Sequence, residues 1–198
     1  MAITSKMVKE LRDKTQAGMM DCKRALEKTE GDMEKAVDLL RQKGLSVAAK
    51  RADRATSEGV VETYIHAGGK LGVLVEIGCE TDFVARNQDF TTFARDVAMH
   101  IAATNPVAVV REDIPEEVIS REKEIYIQQA IDSGKSQEIA EKMVKGKLDK
   151  FVAEVALLEQ KFVKNPDLTI QDLLNEIVAK MGENISIKRF ARFQVGGN

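Results

Sequence analysis

The chain has 198 residues, 43% hydrophobic and 31% charged, which is typical of a globular protein long enough to bury a core without disulfides. Tryptophan is absent and only 5% of the residues are aromatic, so extended stacking platforms for single-stranded nucleic acid are not expected. The net charge of -2 conceals an excess of 13 Lys and Arg over 9 Asp and Glu in residues 1–54, but acids lie between these bases, as on a solvated helical face or a surface for an acidic protein.

Three short helices are predicted in the N-terminal part of the chain. The apolar spacing and the capping residues place them at about residues 6–14, 19–28 and 33–43, with a break at 15–18. Gly44 is predicted to end the third helix, and the polar stretch 48–57 is predicted to be a linker with room for a further helical turn. We therefore expect a helical domain with its linker at 1–54 and a second domain at 55–198.

A β-hairpin is predicted to follow the linker. Residues 60–65 and 71–79 are rich in β-branched side chains, and a glycine-containing turn separates them. Thr81 and Asp82 come directly after the second strand and can cap a helix. Phe83 therefore lies where the secondary structure changes, and two interpretations stay open. Periodicity alone favours an ordinary core residue, whereas the position of an aromatic beside a carboxylate suits a wedge.

The rest of the chain predicts more helices and one more strand. A long helix capped by Asn87 is followed by an antiparallel helical hairpin at 115–158, which is either a charged spacer or a contact for a partner. A helix at 169–181 precedes a last strand at 185–195 that can join the first two strands. The predicted fold class is α+β, with a three-helix bundle, a small antiparallel three-stranded sheet packed with helices, and a protruding helical hairpin.

No catalytic or metal-binding pattern is visible. His66 and His100 are the only histidines, and neither they nor Cys22 and Cys79 have the spacing of a metal site or a nucleophile with its base. The sequence thus predicts a binding protein rather than an enzyme, without cofactor or metal. Two isolated cysteines indicate a reducing compartment, and no apolar run approaches the length of a signal sequence core or membrane span, so we expect a cytoplasmic protein.

Two motifs carry a resemblance to a known family. Residues 8–23 read VKELRDKTQAGMMDCK and residues 81–87 read TDFVARN, and in this order they closely resemble translation elongation factor Ts. The resemblance continues through residues 133–144 and the ending 192–196, and so covers essentially the whole chain. It indicates the short form of the family, with a single core subdomain.

The family is the guanine-nucleotide exchange factor for elongation factor Tu. The resemblance implies that this protein binds the GDP-bound GTPase, disturbs its Mg²⁺ and phosphate site and promotes GDP release. It assigns the dislocation of Mg²⁺ to Thr81, Asp82, Phe83 and Val84, with Phe83 inserting between helices of the GTPase and Asp82 contacting the region beside them. This reverses the preference for a core position of Phe83.

Further contacts with the GTPase follow from the same resemblance. The N-terminal domain of the family is ubiquitin-associated-like and docks on the GTP-binding domain, which assigns partner binding to Arg12, Met19 and Met20. Since methionine often fills gaps in cores, we expect at least one of the two methionines to be buried. Val163 and Lys164 align with a weaker contact to the last domain of the GTPase.

A homodimer is also expected. Residues 64–75 resemble the second core copy of the long family members, whereas residues 81–87 match the first copy. One protomer would then offer Phe83 to elongation factor Tu, and the second protomer would present the hairpin that carries His66 to the same GTPase. Two rival interpretations are a ubiquitin-associated-type adaptor that only tethers a partner and a nucleic-acid-binding factor that uses the basic N-terminal part; we expect no direct contact with nucleic acid or a membrane.

Overall fold

The computed structural model describes residues 3–15 and 17–197. Gln16, in the break predicted at 15–18, lies outside the described residues. The elements are α1 (Ser5–Thr15), α2 (Met19–Lys28), α3 (Met33–Ala49), β1 (Glu58–Ile65), β2 (Leu71–Cys79), α4 (Asp82–Ala85), α5 (Gln88–Thr104), α6 (Glu116–Asp132), α7 (Gln137–Val155), β3 (Lys161–Phe162), β4 (Asn165–Thr169), α8 (Ile170–Met181) and β5 (Ile185–Gln194). Two short 3₁₀ turns lie at Arg111–Asp113 and Leu157–Glu159.

The chain divides into two compact units. The first comprises Met1–Glu62, Glu76–Asp96 and Asp172–Lys188, and the second comprises Thr63–Val75, Val97–Gln171 and Arg189–Asn198. The strands β1, β2 and β5 each have residues in both units. The domain boundary expected at residue 54 stays a prediction.

The first unit contains the N-terminal helical bundle. Helices α1, α2 and α3 pack against one another around six buried side chains, Val8, Leu11, Cys22, Ala25, Leu26 and Ala36. The predicted end of α3 at Gly44 was wrong, because the helix continues to Ala49. A glycine inside a helix costs only about 1 kcal/mol relative to alanine, which the surrounding turns of helix outweigh.

The sheet has the strand order β1-β2-β5 and is antiparallel. The β1–β2 turn closes through the His66 N–H, which donates to the Leu71 carbonyl, and the Gly69 N–H, which donates to the His66 carbonyl. Alternate side chains of β2 are buried, namely Val73, Val75, Ile77 and Cys79. The predicted α+β class, with three N-terminal helices followed by a three-stranded antiparallel sheet with helices, is therefore confirmed.

The second unit holds the helical hairpin and a small sheet that the sequence did not reveal. Helices α6 and α7 pack together, and the turn between them closes where the Gly134 and Lys135 N–H groups donate to the Ile131 and Ala130 carbonyls. Strands β3 and β4 form a separate antiparallel pair with an irregular register. A two-residue strand such as β3 is too short to produce the alternation from which strands are predicted.

Candidate functional site

Phe83 projects from the four-residue helix α4 into solvent. Its side chain is 83% exposed, whereas the next residue, Val84, is only 9% exposed. The core position that periodicity alone favours for Phe83 is therefore wrong. Val84 holds the short helix to the protein, and its neighbour is left as an unpartnered aromatic ring. A single exposed phenylalanine of this kind is available to insert into another surface.

The residue before α4 is fixed by a carboxylate from the far end of the chain. Thr81 Oγ1 donates to Glu183 Oε1 at 2.7 Å, and the Thr81 N–H donates to Glu183 Oε2 at 3.0 Å. The Cys79 thiol also donates to the Thr81 carbonyl at 3.1 Å. Both donors of Thr81 are thus occupied within the protein, so Thr81 orients the segment and has no donor left for an outside acceptor.

Asp82 begins α4 and lies within an ion pair on the surface. Its carboxylate is 3.1 Å from Arg86 one turn later; the Arg86 side chain is largely exposed and the Asp82 side chain is about half exposed. Exposed pairs of this spacing contribute about 0.3–0.5 kcal/mol, so the pair can open at little cost when another cation or donor approaches. Asp82 and Phe83 therefore present a carboxylate and an aromatic ring side by side.

The strand end before this segment is also anchored. Glu80 accepts from the Asn184 N–H at 2.6 Å and from Arg54 at 3.4 Å. The backbone hydrogen bond from Asn184 is the largest cause of the lowered pKa of Glu80, and the nearby Arg54 charge lowers it further. The Asn184 side chain in turn donates to the Ala52 and Arg54 carbonyls. The Glu183–Asn184 pair thus ties the linker and the end of β2 together.

The N-terminal candidate residues are all on the surface of the helical bundle. Met19 and Met20 are 55% and 58% exposed, so the expectation that one of them is buried was wrong. The buried face of α2 begins only at Cys22, because both methionines lie in the first turn, ahead of the residues that α1 and α3 cover. Arg12 is exposed on α1 and lies near enough to Cys22 to lower its thiol pKa, against the larger effect of burial, which raises it.

The remaining candidates lie in the second unit. His66 is exposed in the β1–β2 turn, and its Nδ1 is 3.0 Å from the Tyr64 hydroxyl, which restricts the imidazole. Val163 and Lys164 lie exposed between β3 and β4. The Val163 N–H donates to Nδ1 of the buried His100 at 3.4 Å, so this segment has an internal support that the sequence did not indicate.

An apolar groove in the second unit was also missed. Four large apolar side chains line it and are exposed, namely Ile65, Leu74, Phe193 and Val195. The groove has a volume of about 820 Å³ and also includes Lys70, whose carbonyl accepts from the Val195 N–H. Alternation along β1 and β5 assigns one face of each strand to a core but cannot say whether the opposite face is covered.

Both cysteines of the chain are free and buried. Burial raises the pKa of both thiols, Cys22 and Cys79, which disfavours the nucleophilic thiolate. Among residues 3–15 and 17–197, no group of three His, Cys, Asp or Glu side chains is arranged to hold a metal ion. No helix in that part of the chain is sufficiently long and apolar to cross a bilayer.

Comparison with known proteins gives a consistent result along the whole chain. A family model described as elongation factor TS matches residues 1–197. The chain is 76% identical over 196 residues to elongation factor Ts of Desulfotalea psychrophila, covering 99% of this chain and 100% of that protein. It is 63% identical over 194 residues to elongation factor Ts of Carboxydothermus hydrogenoformans, covering 98% of this chain and 89% of that protein. With elongation factor Ts of Geobacter sulfurreducens the identity is 57% over 196 residues, covering 99% of this chain and 91% of that protein.

Proposed function

This chain belongs to the elongation factor Ts family, and on that premise we propose that it is the guanine-nucleotide exchange factor for elongation factor Tu. It binds the GDP-bound GTPase, disturbs the Mg²⁺ and phosphate site of that partner and promotes GDP release in translation elongation. It acts by binding alone, with no covalent chemistry and no cofactor of its own. It works in the cytoplasm and contacts neither nucleic acid nor membrane.

The observation that carries this proposal is the exposure of Phe83 beside the buried Val84. Full burial of a phenylalanine side chain is worth about 1.5–3 kcal/mol, and this contribution becomes available only when a partner covers the ring. Phe83 inserts between helices of the GTPase, and Asp82 contacts the region beside them. Thr81 and Val84 hold these two side chains in place, so the four residues act together as the segment that dislocates Mg²⁺.

The energetic requirement on this segment is modest. Each tenfold loss of nucleotide affinity needs about 1.4 kcal/mol of difference between binding to the nucleotide-free and the GDP-bound partner. By linkage, GDP then weakens the binding of the exchange factor by the same factor. Phe83 is buried only in the complex in which the Mg²⁺ site of the partner is open, and this burial supplies a difference of that size.

Other contacts tether the partner without acting on the nucleotide. Arg12, Met19 and Met20 bind the GTP-binding domain from the ubiquitin-associated-like bundle, and the exposure of both methionines supports this role. Val163 and Lys164 make a weaker contact with the last domain of the GTPase. Such contacts raise the affinity for the GTPase equally before and during GDP release. They therefore lower the concentration of exchange factor needed for half-maximal release and leave the maximal rate unchanged.

We also propose a homodimer in which one protomer offers Phe83 and its partner offers His66 to the same GTPase. The exposed apolar groove of Ile65, Leu74, Phe193 and Val195 supports it, because covering these side chains by a second protomer would remove their apolar surface from water and so favour association. The occupant we assign to the groove is a second copy of this chain.

The release of a fluorescent GDP analogue from elongation factor Tu tests the exchange function. The protein is expected to accelerate release, and Phe83→Ala is expected to lower the maximal rate by at least about tenfold with unchanged helical content. Leu45→Ala is the matched control, because Leu45 is also an exposed apolar side chain on a helix of the first unit. An adaptor that only tethers its partner would bind elongation factor Tu and leave GDP release at its intrinsic rate, which would refute the proposal.

A further inference from the structure

The strongest contact of the Thr81–Val84 segment is with a residue to which the family resemblance assigns no role. Glu183 accepts both the Oγ1–H and the N–H of Thr81, at 2.7 and 3.0 Å. Hydrogen bonds to a charged acceptor are about twice as strong as neutral ones, and a two-point contact fixes direction as well as distance. Both groups are partly buried, which limits competition from water.

The backbone holds Glu183 in this position from both sides. Gly182 ends α8 with a φ of 74°, a left-handed conformation that turns the chain towards the end of β2, and its N–H donates to the Val178 carbonyl. On the other side, the buried Asn184 makes three hydrogen bonds to the linker and to Glu80. Glu183 is therefore a fixed point from which Thr81 is held.

Helix α4 needs such a fixed point because it cannot hold its own geometry. It has four residues, and its closing hydrogen bonds, from the Ala85 and Arg86 N–H groups to the Thr81 and Asp82 carbonyls, measure 3.3 and 3.2 Å. A single turn of helix is unstable in isolation. The direction of Phe83 thus depends on Val84 at one end of the turn and on Thr81 at the other.

We propose that Glu183 is a positioning residue for GDP release, which acts through Thr81 by fixing the direction in which Phe83 projects; this inference rests on the exchange function proposed above. A pre-ordered segment avoids the entropy cost of ordering the ring when it inserts. When Thr81 is released, Phe83 keeps its exposure but loses its direction. The maximal rate then falls, while the tethering contacts of the N-terminal bundle are unchanged.

The test is the same release assay, run as a double-mutant cycle with Glu183→Gln and Phe83→Ala. Glutamine keeps the size of the side chain but removes its negative charge and leaves one acceptor oxygen, so the two charge-assisted hydrogen bonds from Thr81 are replaced by weaker neutral ones. The maximal release rate is expected to fall by about tenfold, with the half-saturating concentration changed by less than about twofold. In the Phe83→Ala background, Glu183→Gln is expected to add less than about twofold, because its effect passes through the ring.

A control separates positioning from a general loss of stability. Asp172→Asn removes the 2.8 Å ion pair between Asp172 and Arg41 in the same unit, and it is expected to leave the release rate unchanged. Amide hydrogen exchange gives a readout independent of the partner, since the Thr81 N–H should exchange faster in Glu183→Gln while the buried bundle residues keep their protection.

The outcomes distinguish this inference from the exchange function itself. If the parent protein does not accelerate GDP release, the proposed function and the role of Glu183 are both wrong. If the parent accelerates release and Phe83→Ala is slow, but Glu183→Gln is as fast as the parent, only the role of Glu183 is wrong. Effects of Glu183→Gln and Phe83→Ala that multiply in the double variant would also overturn it, because Glu183 would then act by a route other than Phe83.

Discussion

His100 and Gln160 are joined in the interior by a hydrogen bond of 2.9 Å between Nε2 and Oε1. Because the Val163 N–H donates to Nδ1, the proton of the neutral ring lies on Nε2, which donates to Gln160. Gln160 Oε1 also accepts from Thr104 Oγ1, and its amide donates to the Glu154 carbonyl. Every partner of the imidazole is therefore satisfied by its neutral form.

This arrangement predicts a loss of stability in mild acid. Burial lowers the pKa of His100 below its ordinary value of 6.5, and the hydrogen bond to Gln160 offsets this only in part. As the pH falls through 6.5 the unfolded chain takes up a proton that the folded protein does not, so the free energy of unfolding decreases until the folded pKa is reached. Urea unfolding of the parent and of His100→Gln, at about pH 7.5 and about pH 5.5, measures this difference.

The parent and His100→Gln are expected to differ both in the free energy of unfolding at about pH 7.5 and in how much of it is lost on acidification. His100→Gln should be less stable by about 1–3 kcal/mol at the higher pH, because the partly buried Val163 N–H loses its acceptor. Carboxylates contribute equally to both proteins, so the variant should show a smaller loss on acidification. Equal losses in the two proteins would show that His100 does not titrate as this geometry requires.

Two glycines predict opposite responses to the same substitution. Gly59 has a φ of 149°, and a Cβ there would lie 2.1 Å from the Ile77 carbonyl oxygen. Gly59→Ala is therefore expected to destabilise the protein by about 3 kcal/mol or more. Gly146 lies inside α7 with open space around its Cβ position, so Gly146→Ala is expected to stabilise by up to about 1 kcal/mol. Thermal unfolding of both variants provides the measurement, and a stabilised Gly59→Ala would contradict the strand geometry.

The exposed methionines of α2 predict a change of affinity without a change of maximal rate. Removing both side chains in Met19→Ala/Met20→Ala is expected to raise the half-saturating concentration for GDP release by about tenfold or more, since truncation of an interface anchor commonly costs about 2 kcal/mol. The maximal rate should stay within about twofold of the parent, because Phe83 is intact. A lower maximal rate at unchanged half-saturation would instead place the methionines in the release step.

The groove of the second unit predicts the oligomeric state. The parent protein is expected to sediment as a dimer, and Phe193→Glu is expected to give a monomer, because a carboxylate would be buried without a partner at the interface. Val107→Glu places the same charge on an exposed apolar position outside the groove and should leave the dimer intact. A parent protein that is monomeric at working concentration and fully active in exchange would refute the proposed dimer.

Local sequence patterns correctly predicted the helices and strands whose ends are marked by breaks or turns in the sequence. Helix α2 and strand β2 begin and end at the predicted residues, since breaks or turns flank them and their apolar spacing is regular. The end of α3 was misplaced because a glycine signals a helix end only when the chain turns left-handed there, and φ cannot be read from residue type. Strand β3 was not predicted, because two residues are too few to show the alternation of apolar and polar side chains.

The candidate site was less accessible to such patterns. Helix α4 is about one turn long, so periodicity has no second turn from which to assign a face to Phe83. The role of Glu183 depends on a contact across 102 positions of sequence, which no local spacing encodes. Exposure of Met19 and Met20 depends on how far the helices around them extend, which is likewise a property of the packed bundle.

The same separation has a consequence during synthesis. Residues 81–84 emerge from the ribosome long before Glu183 is translated, so a nascent chain carries the complete wedge sequence without the carboxylate that orients it. Contacts of such long range form late, since loop closure must precede them. A chain interrupted before Glu183 would keep the tethering residues of the N-terminal bundle and lack the fixed direction of Phe83, so on the proposed function it would occupy the GTPase without speeding GDP release.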